Sequence, residues 1–176
     1  MLRIAKFLAP CLLWASTLVG ATPVSLPGGL TVDLPEQLDL TYQIIPDYDE
    51  NEKVIAGWSN DKLQYFVALS RLPAGYLDGP SYLAALARDL RKAWGSVEVG
   101  QQATYRTESG MSGTTVVLFK PASGKSTSKT ILIAHHLTDG KASFVATATV
   151  MPTASIDTAS EHVKRILSSA STARTN

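Results

Sequence analysis

Thr114-Thr115-Val116-Val117-Leu118-Phe119, Thr130-Ile131-Leu132-Ile133-Ala134-His135-His136-Leu137 and Ala142-Ser143-Phe144-Val145-Ala146-Thr147-Ala148-Thr149-Val150 read as three consecutive β-strands. β-Branched and aromatic residues dominate them, and loops rich in Gly, Ser, Lys and Asp separate them. Short connections of this kind join antiparallel neighbours, so the stretch is expected to form a meander. Side chains alternate faces along a strand, and here both parities are apolar. Val116 and Leu118 point one way, Val117 and Phe119 the other; Ile131 and Ile133 oppose Leu132 and Ala134. A strand wet on one face alternates more cleanly. Cover on both faces is therefore expected, and with it a three-layer α/β/α sandwich around a mainly antiparallel sheet, an α+β fold.

Working outward, two helices supply the cover. Asp78-Gly79-Pro80-Ser81 places a capping carboxylate and a first-turn proline ahead of Leu83, Leu86, Ala87, Leu90 and Trp94, which recur at helical spacing. Gly95 is the expected stop, so the first helix spans about 79–94. Ile156, Ala159, Val163, Ile166 and Leu167 make the apolar stripe of a second helix, about 155–169. Before the first helix, Leu30–Leu34 alternates and stops at Pro35. Leu40–Ile45 and Lys53–Ser59 are strand candidates joined by the acidic loop 47–52, and Leu63, Tyr65, Val67 and Leu69 share one face of a strand. Val97–Thr107 alternates more cleanly, as a strand near the edge does.

The N-terminus is of another kind. Met1–Lys6 carries Arg3 and Lys6, Phe7–Val19 is apolar but short for a membrane span, and Val19-Gly20-Ala21 offers small residues for cleavage. We expect residues 1–21 to be a cleaved signal peptide, 22–170 one domain and 171–176 a flexible tail. Cys11 is the one cysteine of the chain and lies in that leader. The mature protein then has no thiol chemistry and no disulfide, and rests on its core alone. An exported domain without disulfides points to a bacterial envelope, periplasmic or secreted, and to no stable membrane anchor after cleavage. Of 176 residues, 45% are hydrophobic and 18% charged, an ordinary globular balance. A formal net charge of +1 gives no reason to expect a nucleic-acid partner.

The order of elements now carries a resemblance. A leader, a short strand closed by proline in Leu30-Thr31-Val32-Asp33-Leu34-Pro35, antiparallel strands, a helix, a three-strand meander and a terminal helix together resemble the PsbP-like α/β/α sandwich. Within it the chain is most similar to the periplasmic DcrB-like branch, over most of residues 24–170. The acidic loop 47–52 departs from the pattern. The resemblance implies an assembly factor or adaptor without catalysis, and names no partner.

The residues that echo chemical motifs fall short of them. Ser123-Gly124-Lys125-Ser126-Thr127 ends like a phosphate-binding loop, but Phe119 stands where the first Gly is needed, and the segment joins two strands. Asp47-Tyr48-Asp49-Glu50-Asn51 starts like a calcium loop, yet Glu52 and Trp58 occupy the positions of the turn Gly and the bidentate Glu. His135 and His136 are adjacent on a strand and point to opposite faces, and His162 lies on the second helix, which is not a zinc set. Ser109-Gly110-Met111-Ser112-Gly113 lacks the second Gly of a nucleophile elbow, since Thr114 stands there. We therefore expect no catalytic residue, cofactor or metal.

Tyr42, Tyr48, Trp58 and Tyr65 gather in the N-terminal half, and aromatics serve both strand packing and recognition. Tyr48 and Trp58, beside the acids of loop 47–52, are the candidate partner-binding anchors. The leading expectation is a non-catalytic exported binding or adaptor protein with an unidentified envelope partner. Two alternatives stand beside it: a periplasmic hydrolase without a recognisable motif, and a small-molecule or lipid carrier with a cleft between helix 79–94 and the sheet.

Overall fold

A computed structural model describes residues 21–36, 40–44, 53–122 and 129–172. The strands are β1 Ala21–Leu26, β2 Leu30–Pro35, β3 Thr41–Ile44, β4 Lys53–Asn60, β5 Tyr65–Arg71, β6 Glu98–Val99, β7 Ala103–Arg106, β8 Ser112–Lys120, β9 Thr130–Thr138, β10 Ser143–Val150 and β11 Ser171–Thr172. The helices are α1 Gly79–Trp94 and α2 Ile156–Ser168. The main sheet runs β3-β4-β5-β10-β9-β8-β6, with β7 also paired to β8. Every pairing in it is antiparallel. Thus β8–β9–β10 is the expected meander, and β5 joins it to the earlier meander β3–β4–β5.

The helices start where their caps dictate. The Asp78 carboxylate accepts from the Ser81 amide at 3.3 Å, and Gly95 ends α1 at φ 83°. Ser155 accepts from the Thr158 amide and opens α2. Leu83 and Ala87 are buried against the sheet, whereas Leu86, Leu90 and Trp94 pack there half-buried. The first turn of α1 lies so close to the sheet that a Cβ on Gly79 would come within 2.6 Å of Thr114 Oγ1. Only glycine allows that approach.

Strand pairing sorts the side chains into two cores. On one face Leu118 pairs with Leu132, and Val116 with Ala134. These join Leu83, Ala87 and Val97 under α1. On the other face Ile133, Leu137, Phe144, Ala146 and Ala148 meet Val163, Ile166 and Leu167 of α2. That second layer is larger than the sequence alone indicates. A separate antiparallel sheet, β1-β2-β11, packs beside α2 and adds Leu26, Leu30 and Val32 to the same core.

Two expectations change here. Ser171–Thr172, assigned to the tail, form β11 on β2. Their anchorage is local: Ala170 is buried, the Ser109 hydroxyl donates to its carbonyl at 2.6 Å, and the Thr172 hydroxyl donates to Asp139. The strand expected over 97–107 is two short pieces, because residues 100–102 leave the ladder between Val99 and Ala103.

Candidate functional site: the open half of the sheet

The face of the sheet under α1 is covered unevenly. The helix lies on β8 and β9. Beyond them the same face continues over β10, β5, β4 and β3, traced by Leu132, Thr149, Phe66 and Ser59 in one register row. Thr149 is exposed, and Phe66 is 51% exposed. No described helix crosses this half.

Phe66 is placed by strand parity. Tyr65, Val67 and Leu69 point into the α2-side core, so their neighbours point the other way. The Phe66 ring lies over Gly57 on β4: a Cβ at position 57 would stand 3.4 Å from the ring and 3.3 Å from the Val67 carbonyl oxygen. Glycine thus gives the aromatic ring a seat on the sheet. A hollow lies on either side of it. One, of about 440 Å³, is lined by Thr41, Gln43, Val54, Gly57 and Ser59 with Phe66. The other, of about 290 Å³, is lined by Asn60, Asp61, Gln64, Phe66, Thr149 and Met151. Met151 is 56% exposed. The surface is a shallow trough whose one charged lining residue is Asp61, with the exposed Phe66 ring as its ridge. The outer edge of β3 pairs with no other described strand.

The anchors expected from sequence fare differently. Trp58 is 2% exposed and belongs to the α2-side core. It pairs with Tyr42 on one side and Val67 on the other, and so shares the face of Val67. Its indole is not available as a surface anchor, which corrects that expectation. Tyr48 and the acidic loop lie outside the described residues, as do Ser123–Thr127 and the leader up to Gly20. Tyr42 is 52% exposed at the edge. Tyr65 is buried, its hydroxyl pushed up to about 12 by burial, with its ring edge-on to His162. Phe66 was the residue to notice: it is the one large apolar side chain on the parity of Gln64, Ala68 and Ser70.

The histidines do not come together. His135 faces the α2 side, with Nδ1 3.5 Å from the Tyr105 hydroxyl and Nε2 unpartnered. Burial, then the nearby Lys164 charge, lowers its pKa to about 4. His136 faces α1, and its Nε2 lies 2.8 Å from the Tyr76 carbonyl. A carbonyl only accepts, so Nε2 carries the proton. Burial lowers its pKa, opposed by that bond and by Asp78. His162 on α2 is also lowered, first by burial and then by Arg165, against Glu161. Among the described residues no three His, Cys, Asp or Glu side chains could share a metal ion. Ser109 bonds to Thr107 at 2.9 Å and to the Ala170 carbonyl, which ties the turn to the end of α2.

No family model matches the chain, and no curated protein does. Solved structures do. The cyanobacterial PsbP of Synechocystis superposes with a TM-score of 0.58 at 11% identity, over 90% of this chain and 96% of that one. The Ran-binding protein Mog1p of Saccharomyces cerevisiae superposes at 0.52 and 13%, over 88% and 96%. A Mog1 point mutant gives 0.57 and 12%, over 89% and 97%. The chain has the α+β fold shared by Mog1 and PsbP. Among the described residues no helix is long and apolar enough to cross a membrane.

Proposed function

We propose that this chain is a non-catalytic, exported binding protein that holds an envelope protein partner on the open half of its sheet. The observation that carries the proposal is the exposed Phe66, seated on Gly57 between two hollows, on a sheet face that α1 leaves uncovered. An exposed aromatic at the centre of a concave, weakly polar surface suits an anchor in a protein interface. The likeness of fold to a Ran-binding protein supports a protein partner in kind. Element order favours the DcrB-like branch and a periplasmic setting. Tyr48 remains a proposed contact, on the connection between β3 and β4. The motif-less hydrolase is disfavoured by His135 and His136 pointing to opposite faces of β9, where they cannot act as a pair.

Export rests on the basic and apolar character of residues 1–21. Cleavage after Ala21 would remove one residue from β1 and keep the pairs of Thr22–Leu26 with β2. Intact mass of the envelope form should therefore begin at Thr22; retention of Met1 would refute export by cleavage. The binding surface is tested by affinity capture from the envelope with wild type and Phe66→Asp. Partners should be lost from the variant while it remains folded. A folded variant that keeps every partner would overturn the assignment.

A further inference from the structure

A second concavity lies on the opposite side of α1. Of about 230 Å³, it runs between the helix and the broken edge of the sheet, over Leu83, Ala87 and Val116. The edge is shaped by a bulge. Val99 pairs with Leu118 and Ala103 with Thr115, so three residues, 100–102, stand opposite Val116 and Val117. The Gly100 amide still donates to the Val117 carbonyl at 2.8 Å. Bulges at a sheet edge re-aim side chains, and here Gln102 joins the lining of the groove. Val99 forms its outer wall and is 51% exposed, a large apolar surface left to water. Arg88 and Arg91 stand on the rim contributed by α1. Arg88 meets Asp89 through Nε, at 3.5 Å, and Asp89 also faces Lys92 at 3.6 Å. Arg91 has no ion pair among the described residues.

We propose that this groove binds an anionic amphiphile, a single aliphatic chain bearing a carboxylate. The chain would lie along Leu83, Ala87, Val99 and Val116, and the carboxylate would meet Arg91 and Arg88. The occupant follows from the surface. An apolar floor with a cationic rim, on which Arg91 has no ion pair among the described residues, complements a ligand that is apolar along its length and negative at one end. Guanidinium groups bind carboxylates through paired hydrogen bonds. The volume falls below the ~300 Å³ at which drug-sized pockets begin, which suits one unbranched chain. A flat bilayer could not enter it. The assignment is independent of the partner surface on the open half of the sheet.

The test is calorimetric titration of purified protein with dodecanoate below its micellar concentration, beside dodecanol, dodecyltrimethylammonium and acetate. Dodecanoate should bind with one-to-one saturation, and backbone NMR shifts should concentrate on α1, Val99–Gln102 and Val116. Ala84→Trp fills the groove from an exposed position, and it should weaken binding about tenfold or more; Arg91→Glu should do likewise, as expected for loss of a charged hydrogen bond. Equal affinity for dodecanol or the cationic analogue would overturn the proposal. So would shifts centred on Phe66, binding only to anionic phosphatidylglycerol vesicles, or a folded Ala84→Trp that binds as well as wild type.

Discussion

The two faces of the main sheet are built to different ends. The α2-side face is closed over all but its β3 edge, where Tyr42 is exposed, by a helix and by a second sheet, β1-β2-β11. Phe144, Leu137, Leu167 and Leu30 there are fully buried. The α1-side face is closed over β8, β9 and the Val145 end of β10, and over β4, β5 and the Thr149 end of β10 it offers Phe66, Thr149 and two hollows. One helix is too narrow for eight strands, and nothing in the described chain finishes the layer. Stability is thus concentrated on one face, and the other has surface to spare for recognition.

The largest effect should come from the closed face. Phe144→Ala should cost about 3–5 kcal/mol in urea melts, because the site is fully buried and walled by two layers. A loss below about 1 kcal/mol would show that the closed face is loosely packed. Acid should act on the same face through His135. Its folded pKa, about 4, lies below the unfolded value near 6.5. Between these values the unfolded chain binds a proton that the folded chain refuses. Stability is therefore full above about pH 6.5 and declines as pH falls toward about 4, by at most about 3 kcal/mol for this residue. His136 adds a contribution of the same sign. Denaturant midpoints measured from pH 7 to 4 should fall, and the fall should shrink in a folded His135→Gln variant. A flat profile would mean that His135 titrates freely.

The covered part of the α1 face should be intermediate and graded. Leu83→Ala, at a site 2% exposed, should cost about 2–4 kcal/mol. Leu86→Ala, half-buried on the same helix, should cost less than half as much. Equal losses would mean that α1 is rotated from the orientation described. Smallest of all is the open half. Phe66→Asp should change stability by about 1 kcal/mol or less, the scale of one cross-strand contact over Gly57.

Much of this contrast was legible in the sequence. The doubly apolar parity of Ile131–Ala134 announced a strand covered on both faces, and the periods of Leu83–Trp94 and Ile156–Leu167 gave the covering helices. The alternation Leu63, Tyr65, Val67, Leu69 gave the buried face of β5, and Phe66, on the opposite parity, emerged as an anchor only with the structure. What could not be read was reach. No pattern along α1 states how many strands it covers, since that depends on where Gly79 lets it land. Trp58 misled because an aromatic in a strand has the same composition signal whichever face it takes. Its face is set by pairing with Val67 across the Asn60 turn, and register of that kind is a property of two strands. The small strand Ser171–Thr172 has no propensity signal at all; it exists because Ser109 and Asp139 hold the chain against β2.

The central claim is that the open half of the sheet, and not the closed face or the helix surfaces, receives the partner. Its most direct test is site-specific photocrosslinking in intact cells. A photoreactive side chain replaces Phe66 in one strain and the exposed Glu161 of α2 in another. A discrete higher-mass adduct is expected from position 66, absent from position 161 and competed away by untagged wild-type protein. An adduct from position 161 with none from position 66, at equal amounts of folded protein, would contradict it.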